Sequence, residues 1–142
     1  DVVCLCEGDP FFYGSFMYLY ARLAADYQVE VVPGVTSITT CAARAGMPLA
    51  ARNERLTVLP GPLPAEELRA RIEGAESVAI MKVGRHLSKI RAVIADLGLT
   101  DKAAYIERAS LPDELVCPLA QAPETAPYFS MIILTKGADP WL

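Results

Sequence analysis

The sequence predicts an α/β fold, and three observations carry that prediction. Short β-branched or apolar runs alternate with stretches of good helix formers. Hydrophobic residues make up 53% of the 142 positions against 21% charged, richer than a typical soluble domain. No apolar run approaches the roughly 18 residues of a membrane span, so the surplus reads as a sheet buried on both faces.

The elements follow in order. Residues 2–6 form an apolar run that reads as a strand, and residues 7–14 a loop rich in Gly, Pro and aromatics. The run is apolar on both faces and calls for neighbours on both sides. With Asp1 rather than Met at its head, the expectation is that an upstream segment has been lost. Residues 16–23 are apolar nearly all round and rich in Met, Leu and Ala, hence a helix. Residues 28–32 alternate into a strand ending at Pro33-Gly34, and Thr36 or Ser37 offers an N-cap for a helix that closes at Gly46. Strand, loop, helix, repeated, is the grammar of a parallel sheet.

Residues 48–54 lose periodicity and carry mixed charge, which reads as a linker and sets a domain boundary near Arg52, dividing 1–52 from 53–142. Beyond it come a strand at 56–59, a charged surface helix at 65–73, a buried strand at 77–83 and a helix at 87–97 stopped by Gly98. Strands at 103–107, 115–119 and 128–135 complete a second α/β unit.

Composition excludes several functions. A net charge of −4 argues against general nucleic-acid binding, which needs a broad basic surface. Cys4, Cys6, Cys41 and Cys117 follow no metal spacing and read as buried, reduced thiols of a cytoplasmic protein. No metal site is expected, because His86 has no ligating neighbour at suitable spacing. There is no Gly-x-Gly-x-x-Gly after a strand, no Walker loop and no Gly-x-Ser-x-Gly elbow, and a lone histidine makes a hydrolase triad a poor fit.

Ligands in open α/β sheets gather at the carboxyl ends of strands. Four such ends here carry small, hydroxylated or turn-forming residues: Glu7-Gly8-Asp9-Pro10, Pro33-Gly34-Val35-Thr36-Ser37, Met81-Lys82-Val83-Gly84-Arg85 and Glu107-Arg108-Ala109-Ser110. Together they predict a crevice between two units. Asp9-Pro10 alone reads equally well as the start of the next helix. The aromatics Phe11-Phe12-Tyr13 either line a flat ligand or pack in the core. Thr36 and Ser37 suit an N-cap and also a carboxylate at a helix N-terminus. Lys82, Arg85, His86, Lys89 and Arg91 form the one dense basic stretch, by default a solvated helix face, or else a seat for an anionic ligand.

With those residues in view, the chain resembles the tetrapyrrole (precorrin) methylase family. Cys6-Glu7-Gly8-Asp9-Pro10-Phe11-Phe12-Tyr13-Gly14-Ser15, Val32-Pro33-Gly34-Val35-Thr36-Ser37 and Ala45-Gly46-Met47-Pro48-Leu49 follow the family pattern in order and spacing. Glu7, Tyr13-Gly14-Ser15 and Met81-Lys82-Val83-Gly84-Arg85 are most similar to the branch that methylates precorrin-2 at C20 in cobalamin synthesis. The resemblance implies two α/β domains with S-adenosylmethionine in the cleft between them, the first domain incomplete. It implies cofactor contacts at Glu7, Gly8, Asp9, Phe12, Thr36, Ser37, Met81, Ala109 and Ser130. An acidic tetrapyrrole is the implied substrate, with Lys82 and Arg85 toward its carboxylates and Tyr13 at its edge. No catalytic residue is expected, because a sulfonium carries its own leaving group and the protein mainly aligns. A homodimer is implied for the intact enzyme, with no membrane or nucleic-acid partner. The alternatives are another tetrapyrrole methylase, for sirohaem or a later precorrin, and a truncated binding module without turnover.

Overall fold

The computed structural model describes residues 2–137. Chain contacts divide it into two compact units between Ser37 and Ile38.

The first unit holds one helix, α1 (Phe16–Leu23), at the expected bounds. Phe11 packs edge-on against Tyr20, with ring centroids 5.0 Å apart, and lies 6.1 Å from Phe16. That aromatic therefore serves the helix. The strands expected at 2–6 and 28–32 do not form. A strand is defined by the ladder it shares, and no described residue pairs with either segment. The same fact overturns the expectation for two cysteines: Cys4 and Cys6 are exposed, while Cys41 is buried and Cys117 half-buried.

The second unit begins at Ile38, within α2 (Ser37–Ala45), and is built on β1 (Leu56–Pro60), α3 (Ala65–Glu73), β2 (Ser77–Met81), α4 (Leu87–Asp96), β3 (Ala103–Glu107), β4 (Leu115–Pro118) and β5 (Ser130–Thr135). The sheet order is β1-β2-β5-β3-β4. Only β1 and β2 pair in parallel; β5 runs antiparallel to both β2 and β3, and β4 antiparallel to β3. The sheet is mixed, which corrects the parallel arrangement expected. For β4 the reason lies in its connection to β3. A parallel return needs a dozen or more residues, usually with a helix, and the short 108–114 link allows only a hairpin.

Residues two apart on a strand share a face. Val78 and Ile80 of β2, Tyr105 of β3, and Ile132 and Leu134 of β5 meet Leu68 and Ile72 of α3 and Leu87, Ile90 and Ile94 of α4 in one cluster. Most of these side chains are fully buried, and each contributes on the order of 1.5–3 kcal/mol. Ala79, Ile106, Met131 and Ile133 are buried on the other face. Cations tie the helices down. Lys89 Nζ donates to the carbonyls of Gly61 and Leu63, and Lys136 Nζ to Ile72 and Glu73 at the carboxyl end of α3. Among the described residues no helix is long and apolar enough to cross a membrane.

Candidate functional site: the loops at the strand ends

In the first unit the two loops that the sequence singled out are joined by one carboxylate. Asp9 Oδ1 accepts from the Phe11 N–H at 2.9 Å, and Oδ2 accepts from the Gly34 N–H at 3.0 Å. The second bond first, then the first, holds the Asp9 carboxyl below the usual carboxylate range. Asp9 therefore does not start a helix: α1 begins only at Phe16, with Ser15 at its cap position. Residues 9–12 close instead into a turn through Phe12 N–H to Asp9 C=O, with Pro10 second.

Glycine is required at two points, by backbone conformation at Gly8 and by the approach of the loops at Gly34. Gly8 has φ +75°, and a Cβ on Gly34 would stand 2.1 Å from the Gly8 carbonyl oxygen. Phe12 is half-buried and meets Tyr13 edge-on at 5.2 Å, while Tyr13 itself has φ +55°. Glu7 is exposed. Thr36 precedes α2 and Ser37 opens it. Glu7, Gly8, Asp9, Phe12, Tyr13, Thr36 and Ser37 thus lie on two loops that hold each other.

In the second unit the register brings the remaining candidates to one end of the sheet. Met81 ends β2, Glu107 ends β3, and both face the start of β5, where Met81 opposes Met131 and Glu107 opposes Ser130. Lys82, Gly84 and Arg85 follow β2 directly, and Arg108, Ala109 and Ser110 follow β3. Lys82, Arg108 and Ser110 all take positive φ, at 57°, 49° and 67°. Non-glycine residues there cost about 1–3 kcal/mol each, and such strain gathers at functional sites.

Ser130 fastens this end. Its Oγ accepts from the Gly84 N–H at 3.3 Å and donates to the Pro127 carbonyl at 2.7 Å. Nearby is a polar chain that sequence reading missed. Buried Tyr105 donates its hydroxyl to Glu107 Oε2 at 2.6 Å, Glu107 pairs with Arg108 at 2.9 Å, and Arg108 also pairs with Asp113. Burial first, then the Glu107 carboxylate, pushes the Tyr105 phenol well above its usual range. The period-two spacing of Tyr105 and Glu107 on one strand was the available signal.

The basic stretch splits into two groups. Lys89 and Arg91 serve the fold, Arg91 donating to the carbonyls of Ala122 and Pro123. Arg85 is exposed, makes no ion pair among the described residues, and reaches only His86 Nε2, at 3.5 Å. Desolvation first, then Lys89 and Arg85, lowers the His86 pKa. No three His, Cys, Asp or Glu side chains among the described residues could hold a metal.

The chain is 45% identical over 139 residues to a precorrin-2 C(20)-methyltransferase from Sinorhizobium sp, a match covering 97% of this chain and 57% of that protein. It therefore spans little more than half the length of that relative. Its fold matches the methyltransferase CobJ with a TM-score of 0.70 at 18% identity, covering 92% of this chain and 62% of that one. It matches a uroporphyrin-III C-methyl transferase from Thermus thermophilus, complexed with S-adenyl homocysteine, with a TM-score of 0.62 at 25% identity, covering 89% and 62%. The profile of the tetrapyrrole (corrin/porphyrin) methylases matches residues 1–123, a span that holds both joined loops and the ends of β2 and β3. By that match the chain belongs to the tetrapyrrole methylase family.

Proposed function

We propose that this chain is part of an S-adenosylmethionine-dependent C-methyltransferase acting on a precorrin-type tetrapyrrole, at C20 of precorrin-2 in cobalamin biosynthesis. The observation that carries the reading is the 45% identity to the Sinorhizobium enzyme across 97% of the chain. The site's chemistry agrees with it.

The first unit fits such a cofactor. The backbone of the two loops is pressed together at Gly34, where a Cβ would stand 2.1 Å from the Gly8 carbonyl oxygen, and the pairing holds the loop backbone in a fixed place. Thr36 and Ser37 place hydroxyls and N–H groups at the start of a nine-residue helix, where a carboxylate is favoured. Glu7, Gly8, Asp9, Phe12, Thr36 and Ser37 would hold the cofactor, as would Met81, Ala109 and Ser130 in the second unit. When bound, S-adenosylmethionine supplies a methyl group on a sulfonium centre. The protein's own part is alignment, which lowers the barrier without a catalytic side chain. Strained loops anchored by Asp9 and Ser130 suit that part, because a fixed backbone loses little freedom on binding.

Lys82 and Arg85 would receive the substrate's carboxylates, with Tyr13 at the macrocycle edge. Uroporphyrin III, an air-stable tetrapyrrole carrying carboxylate arms, tests this directly. Its binding, followed by porphyrin fluorescence, weakens by about tenfold or more in K82A/R85A if charge-assisted hydrogen bonds hold those arms. Wild-type affinity in that variant removes both residues from the substrate site.

A further inference from the structure

The segment before β5 ends in two aromatic rings that no element described so far uses. Tyr128 is 74% exposed and Phe129 56%, although they meet edge-on at 5.2 Å. Their backbone is firmly held. Arg108 N–H donates to the Phe129 carbonyl at 2.9 Å, and Ser130 N–H to the Tyr128 carbonyl at 3.0 Å. The Ser130 hydroxyl adds the bonds to Pro127 and to Gly84. The pair therefore stands on a support fastened both to the loop after β2 and to the loop after β3.

We propose that Tyr128 and Phe129 form the surface on which the conjugated face of a tetrapyrrole rests at this end of the sheet. The inference deepens the function proposed above and rests on its reading of the substrate. Aromatic rings carry large apolar area and favour offset or edge contacts with other π-systems. Left in water, that area is unused. The Gly84 contact fixes where Arg85 begins, one residue beyond the bond to Ser130, and Arg85 makes no ion pair among the described residues. Two exposed rings, one free to meet a macrocycle by its face and the other by its edge, beside a guanidinium that makes no ion pair among the described residues, complement a flat apolar ring with anionic arms. A second copy of the chain would need its own anion and a broad apolar patch, and the two rings offer little area.

The test is uroporphyrin III binding to the 142-residue chain. The double variant Y128L/F129L keeps apolar bulk and removes the π-faces, and its affinity falls about tenfold, the worth of two ring contacts. The exchange variant Y128F/F129Y keeps both rings and binds like wild type. Should the leucine pair lower the melting temperature, Y128L alone, at the more exposed ring, gives the same direction. Unchanged affinity in Y128L/F129L, with K82A/R85A still weakened, overturns this inference and leaves the substrate reading standing. Failure of the wild-type chain to bind the porphyrin removes both. A wild-type dimer that becomes monomeric in Y128L/F129L, at equal porphyrin affinity, assigns the rings to self-association and overturns the proposal.

Discussion

At the scale of single residues, two glycines in the first unit do different work, and magnitudes separate them. A Cβ at Gly8 would meet the Val35 carbonyl at an ordinary 3.5 Å, so substitution there costs mainly the positive φ of +75°. That is about 1–2 kcal/mol. At Gly34 the added carbon would lie 2.1 Å from the Gly8 carbonyl oxygen, which is backbone and cannot step aside without moving the loop. The loop's movement would also stretch the bond from the Gly34 N–H to Asp9. Gly34→Ala is therefore expected to destabilise by about 1–3 kcal/mol, as overpacking does, and to weaken S-adenosylhomocysteine binding more than Gly8→Ala. Calorimetry on both variants checks the order. Equal affinities would show that the loops do not need their close approach to bind. Sequence alone could mark both positions as glycine. It could not rank them, because the clash at Gly34 depends on a residue 26 positions earlier.

Among the elements, those ruled by local forces were legible and those ruled by distant partners were not. Helices α1 and α3 and strand β3 occupy the expected residues, because helix formers, an acidic first turn in α3 and a compact apolar run act within the segment. Residues 2–6 and 28–32 have strand composition, yet composition supplies no ladder partner. The mixed order of the sheet escaped for the same reason, since β5 enters between β2 and β3 from far along the chain. The candidate site followed the elements: Met81, Lys82 and Ala109 were legible as strand ends and Ser130 only through the family resemblance, but that the register of β5 gathers them was not. Ser130 is the fastening of that gathering and is buried. Ser130→Ala leaves the Gly84 N–H and the Pro127 carbonyl without their partner, a loss of about 1–3 kcal/mol. Urea unfolding measures it, and a change within a few tenths, about 0.3 kcal/mol, would mean that these groups find other partners.

For the whole molecule the two units differ in what holds them. The second has a buried core on both sheet faces; the first leaves Val2 98%, Val3 80% and Leu5 91% exposed, together with Cys4 and Cys6. Thiols report that difference directly. Cys41 is buried, and burial first, then the Glu114 carboxylate, pushes its pKa up to about 11. Cys117 is raised as well, by burial and by Glu107. The thiolate is the reactive species, so at pH 8 a native Cys41 offers about one part in a thousand as nucleophile, and access to it is closed besides. Cys6 is also raised, with desolvation first and the neighbouring Cys4 second, which is the opposite of an activated redox pair. Labelling the native chain with a disulfide reagent should therefore modify the exposed Cys4 and Cys6 first, with Cys117 slower and Cys41 only on unfolding. Cys41 reacting together with Cys4 would show that the second unit opens without global unfolding. Protection of Cys4 and Cys6 that grows with protein concentration would show a different thing. Residues 2–6 would then find in another copy the strand partner that their composition calls for, and the exposed apolar run would be the first unit's route to a ladder.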